Sequence, residues 1–133
     1  MKLHLTNDPT TNMITGYGKD YVLINQERHD YDLLVLPHEI LPWRTECLEE
    51  LTGGDFETVA HLDPEVVLVG TGQEHRFVHP KLYATLSKRQ IGVEIMANGA
   101  ACRTYNILVG EGRRVACALI LNESTFLPSR PVK

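Results

Sequence analysis

Arg103, Thr104, Tyr105 and Asn106, followed by Glu111, Gly112, Arg113 and Arg114, form the densest run of polar groups in the chain. On a helix Arg103 and Asn106 share one face, while Ala101, Tyr105 and Leu108 share another that suits contact with a sheet. An arginine set among alanines near a helix start invites an anion or a carboxylate. Two readings compete. Arg103 binds a small anionic ligand, or it pairs internally with Glu111 or Glu94 and ties helix to loop. The internal pair is preferred, because no nearby base or nucleophile completes a reaction site.

Gly70-Thr71-Gly72, directly after the buried-strand run Val66-Val67-Leu68-Val69, is the feature most like a cofactor site. Two glycines at a strand end let a phosphate approach the backbone. A dinucleotide fingerprint would place glycine or alanine where His75 stands, and the helix signal begins only near Pro80. The lysine and hydroxyl of a P-loop are absent as well, so a tight turn at a strand end is the better reading. His75 and His79 have i, i+4 spacing, but Phe77-Val78 and Pro80 argue against a helix there, and no HExxH or CxxC spacing occurs. The expectation is neither metal nor cofactor. No G-x-S-x-G is present, and Cys102 beside Ala101 reads as a small buried side chain rather than a nucleophile, so no catalytic residue is assigned. Trp43, the single tryptophan, is either a core anchor or an exposed hot spot for a partner.

These groups need a scaffold, and the chain of 133 residues is long enough for one core and one domain. A formal net charge of −4, with Lys and Arg scattered, gives no footprint for nucleic acid. No apolar run approaches the roughly 20 residues of a membrane-spanning helix. Met1-Lys2-Leu3-His4-Leu5 runs at once into polar residues, so no leader is expected. Cys47, Cys102 and Cys117 are odd in number and widely spaced, which points to free thiols and a cytoplasmic setting. Asn122-Glu123-Ser124 matches the glycosylation pattern by chance in such a compartment.

Short β-like stretches flank Gly16-Tyr17-Gly18-Lys19-Asp20 between Met13 and Ile24, an N-terminal β-ribbon. Leu33-Leu34-Val35-Leu36 reads as a central strand ended by Pro37, with a loop on to Pro42. Cys47, Leu48 and Leu51 predict a helix stopped by Gly53-Gly54, and Asp55 is a candidate cap for a further turn to Leu62. Strands at 66–69, 92–96 and 115–120 alternate with helices opened by Pro80 and capped by Asn98, the latter running to about Val109. Alternation of this kind predicts an α/β fold with a mostly parallel central sheet flanked by helices. The tail through Pro128-Ser129-Arg130-Pro131 leaves a core of about residues 13–121.

Met96-Ala97-Asn98-Gly99-Ala100-Ala101-Cys102-Arg103-Thr104-Tyr105-Asn106, with Glu111-Gly112-Arg113-Arg114-Val115-Ala116-Cys117-Ala118-Leu119, resembles the Mth938-like family. Tyr17-Gly18, Leu34-Val35-Leu36-Pro37 with Trp43, and Val67-Leu68-Val69-Gly70-Thr71-Gly72 extend the resemblance over residues 13 to 121. The sequence departs from it at Asn98, where the family more often has threonine, and at Asp32, where it often has serine. The resemblance implies a three-layer α/β fold and, for mitochondrial members, a non-enzymatic role in assembling respiratory complex I. It carries over no catalytic residue. A binding or assembly protein would present Trp43, Gly70, Thr71, Gly72, Arg103, Thr104, Asn106 and Glu111 to a protein partner. The alternative is a small-ligand sensor or enzyme using the crevice at the C-terminal strand ends, with Gly70, Thr71, Gly72, Arg103 and Asn106 around it.

Overall fold

Successive side chains of a strand point to opposite faces, so a continuous aliphatic run requires cover on both. The computed structural model, which describes residues 10–43 and 48–121, provides that cover. Three fully buried runs form the middle of a five-stranded sheet: β4 (Leu33–Leu36), β6 (Val66–Gly70) and β8 (Val115–Leu119). On one side Leu34, Val67, Val69, Ala116 and Ala118 cluster with Phe56, Val59 and Ala60 of α1 (Gly53–Ala60) and Leu86 of α2 (Ala84–Lys88). On the other, Leu33, Val35, Leu68, Cys117 and Leu119 meet Ala101, Cys102 and Tyr105 of α3 (Asn98–Gly110). Each fully buried Leu or Val contributes about 1.5–3 kcal/mol, so these two faces dominate the stability of the three layers.

The N-terminal ribbon is an antiparallel meander of β1 (Ile14–Tyr17), β2 (Val22–Ile24) and β3 (Glu27–His29). Its Ile14, Val22 and Ile24 pack on the α3 side of the core. Gly16 and Tyr17 belong to β1, so the turn is narrower than the sequence predicts, closed by Gly18 N–H donating to Tyr21 O at 3.0 Å.

The sheet order is β5-β4-β8-β6-β7, with β5 at Glu39–Pro42 and β7 at Gly92–Met96. β6 runs parallel to β7 and β8, whereas β4 is antiparallel to β8 and β5. The sheet is therefore mixed, and the mostly parallel expectation describes its β7 half. The difference arises at Pro37-His38, where the chain reverses and turns the expected loop into a hairpin strand, Leu33 facing Pro42 and Leu36 facing Glu39.

Gly53-Gly54 starts a helix instead of ending one. Leu48–Glu50 is a single 3-10 turn, and Cys47 lies outside the described residues, as do the sequon and the tail beyond 121. Thr52, in extended conformation, accepts from Asp55 N while the Asp55 carboxylate accepts from Thr52 N, so Thr52 is the cap and Asp55 its reciprocal partner. Pro80 opens a 3-10 turn, Pro80–Tyr83, that leads into the five-residue α2.

Candidate functional site

The parallel strands β6 and β7 end side by side at Gly70 and Met96, and α3 starts two residues after Met96. Asn98, only 6% exposed, joins these ends. Its Oδ1 accepts from Gly72 N at 3.1 Å, its Nδ2 donates to Ile120 O at 3.0 Å, and its own N–H donates to Gly72 O at 2.8 Å. The expected cap role is thereby corrected: the side chain is committed inside the fold, Ala97 occupies the cap position, and no side chain caps α3. Gly70 makes this possible, since a Cβ there would lie 2.3 Å from Asn98 Oδ1.

Thr71, fully buried, fixes the loop that follows. Its Oγ1 sits 2.7 Å from Glu74 O and 3.3 Å from Met96 O and accepts from Arg76 N at 3.0 Å. Gly70, Thr71 and Gly72 are all buried, so they build the site from behind rather than touch a ligand through side chains.

In front of them opens a cleft of about 420 Å³ between the ribbon turn and the first turn of α3. Tyr17, Gly18 and Lys19 form one wall, Ala97 to Ala100 and Arg103 the other, and Gln73 closes the end. Gly99 allows the approach of the two walls, because a Cβ on it would be 3.1 Å from the Tyr17 ring. Arg103 donates from its guanidinium to Tyr17 Oη across the mouth, at 2.5 Å. Neither Glu111 nor Glu94 pairs with it, so the preferred internal ion pair is not formed. The geometric cause is that Arg103 leaves α3 towards the ribbon, whereas Glu111 sits exposed at the far end of the helix.

The other predicted positions separate from this cleft. Asn106 is a brace: Nδ2 donates to Ile14 O at 2.7 Å and Oδ1 accepts from Ile14 N at 2.9 Å, as a neighbouring strand would. Tyr105 adds a bond from its hydroxyl to Asn12 O at 2.9 Å. Asn106→Ala is expected to loosen the ribbon by about 2 kcal/mol, the net worth of two such bonds. Hydrogen exchange at Val22–Ile24 should accelerate well above that at β6, and equal protection of both would contradict the brace. Thr104, half-buried, and Glu111 do not line the cleft. Trp43 is 5% exposed and stacks edge-on against Phe56 at 5.9 Å, which makes it a core anchor and removes it from any partner surface. Lys19, Tyr17 and Gln73, unassigned in the sequence, enter the site because the ribbon and the loop after β6 converge on α3.

Behind the cleft, burial pushes the Cys102 thiol up to about 12, with a weaker opposing pull from Arg103. Burial raises Cys117 and Tyr105 as well. A folded-state value above the unfolded one leaves stability intact below about pH 9, where an exposed thiol ionises, and removes it as pH rises towards about 12. The expected outcome for Cys102 is a fall of about 1.4 kcal/mol per pH unit between about pH 9 and about pH 12. In the native state at neutral pH, Cys102 should resist a thiol reagent; rapid labelling would contradict its burial.

Fold and cleft define a three-layer α/β domain with donors and positive charge gathered at the C-terminal ends of parallel strands. A family model described as "Protein of unknown function (DUF498/DUF598)" matches residues 14–120, and the chain belongs to that family. Among solved structures, a Bordetella parapertussis protein superposes with a TM-score of 0.80 at 37% identity, over 84% of this chain and 97% of that one. A Bordetella pertussis protein described as a Mth938-like domain gives 0.77 at 32% identity, over 92% and 94%. Human NADH dehydrogenase [ubiquinone] 1 alpha subcomplex assembly factor 3 is 31% identical over 109 residues, covering 80% of this chain and 59% of its own length. The "13 kDa major membrane protein" of Francisella tularensis is 26% identical over 106 residues, covering 78% and 86%. No helix among the described residues is long and apolar enough to cross a membrane.

Proposed function

We propose that this chain is a binding protein that assists assembly of a respiratory NADH dehydrogenase, and that it meets its partner through the cleft at the start of α3. The observation that carries the reading is the kinship with assembly factors that share about 30% of their residues with most of this domain. The chain spans 59% of the human factor and 62% of the bovine one. The cleft supports a binding role through its chemistry. Its described lining offers Arg103, Lys19, the Tyr17 hydroxyl and the Gln73 amide, and brings no carboxylate, histidine or cysteine into the space.

Deleting the gene in the source cell is expected to lower assembled NADH dehydrogenase, measured by activity staining of native gels. Restoration by the wild-type chain completes the result, and an unchanged enzyme level in the deletion strain contradicts the proposal.

A further inference from the structure

We propose that the cleft receives an acidic segment of a protein partner, an Asp or Glu side chain or a chain-terminal carboxylate seated on Arg103 and Lys19. The inference rests on the binding role proposed above. Both cations line the cleft, and neither lies within ion-pair distance of a carboxylate among the described residues. An unpaired surface cation is commonplace, but Arg103 differs because the Tyr17 hydroxyl holds its guanidinium across the mouth. A held guanidinium has already lost part of the side-chain freedom that binding would otherwise cost, and its remaining donors form the planar fork that a carboxylate matches.

The volume, about 420 Å³, falls within the range of ligand-sized clefts, and the small residues Ala97, Gly99 and Ala100 leave it unfilled. The backbone amides of Gly99 and Ala100 add two donors without an acceptor among the described residues. The site is locally cationic on a chain of formal net charge −4, so charge complementarity selects an acidic segment against the background of the whole surface. A carboxylate fits better than a nucleotide, because the loop after β6 is closed over Thr71 and offers no glycine-rich cradle. A protein segment fits better than a free metabolite, because the half-exposed Tyr17 ring extends apolar surface beyond the cleft, where flanking residues would lie.

The test places a photo-crosslinking amino acid at Gln73 of the full chain, irradiates in the source cell and sequences the captured peptide. The expected adduct is a segment carrying Asp, Glu or a C-terminus at the point of capture. Yield should fall about tenfold or more in Arg103→Gln and in Lys19→Gln, each first shown by thermal melting to be folded. An adduct without an acidic group, an adduct indifferent to both substitutions, or no adduct would overturn the proposal. A synthetic copy of the captured segment and inorganic phosphate are then titrated in turn, following the amide resonances of Gly99 and Ala100. Phosphate binding as tightly as the peptide would assign the cleft to a free anion and overturn the peptide assignment. The two readings fail separately. Loss of NADH dehydrogenase on gene deletion without an acidic adduct removes the cleft assignment alone, whereas an acidic adduct with a normal enzyme level removes the assembly role alone.

Discussion

Asn98→Ala is expected to destabilise the domain by about 3 kcal/mol, lowering the melting temperature by roughly 10 °C. The side chain satisfies Gly72 N–H and Ile120 C=O at once, and both lie where water does not replace it readily, beside a residue 6% exposed. Each orphaned buried group costs about 1–3 kcal/mol, and alanine orphans two. Asn98→Asp keeps the acceptor for Gly72 but sets a buried carboxylate oxygen against Ile120 C=O, so a loss at least as large as the alanine's is expected. A cost below about 1 kcal/mol for the alanine variant would mean that the three chain ends are held by something else. Because the Asn98 side chain ties the first turn of α3 to Gly72, its loss should shift the Gly99 and Ala100 resonances at the cleft.

Gly70→Ala is expected to cost a similar amount for the opposite reason, excess volume. The added Cβ would stand 2.3 Å from Asn98 Oδ1, 2.9 Å from Leu119 Cδ2 and 3.3 Å from Ala118 O. Leu119 is fully buried and Ala118 O belongs to the backbone of β8, so Asn98 is the group that must yield, surrendering its own hydrogen bonds. Overpacking costs about 1–3 kcal/mol, to which the lost bonds add. The two substitutions are therefore coupled: in an Asn98→Ala background Gly70→Ala should cost at least about 1 kcal/mol less than in the wild type. Strict additivity in denaturant unfolding would contradict the contact.

These positions also mark what the sequence could and could not convey. The aliphatic runs at β4, β6 and β8 are legible because two-sided burial leaves no polar alternation, and the helices between them follow from spacing. The hairpin strand β5 looks like a loop in the sequence because Pro37 and Pro42 bracket a segment whose pairing depends on β4 across the turn. Gly53-Gly54 resembles a stop in the sequence because glycine is common after helices, while the Thr52 and Asp55 box that overrides it involves only exposed polar atoms. Arg103 stands out in the sequence as a cation among small residues, yet its partner, Tyr17, lies 86 residues away and belongs to the ribbon. Asn106 looked like a ligand group, but its amide is spent on the backbone of Ile14, 92 residues distant. Lys19 carried no local signal beyond a turn. Contacts of such separation are written in the topology, and local pattern is silent about them.

The most direct measurement is isolation of the affinity-tagged chain from cells in which NADH dehydrogenase synthesis has just been induced, with quantification of what accompanies it. Unassembled subunits of that enzyme should be enriched with the wild-type chain, reduced with Arg103→Gln, and absent once assembly is complete. Equal recovery of those subunits with an untagged control would contradict the assembly role.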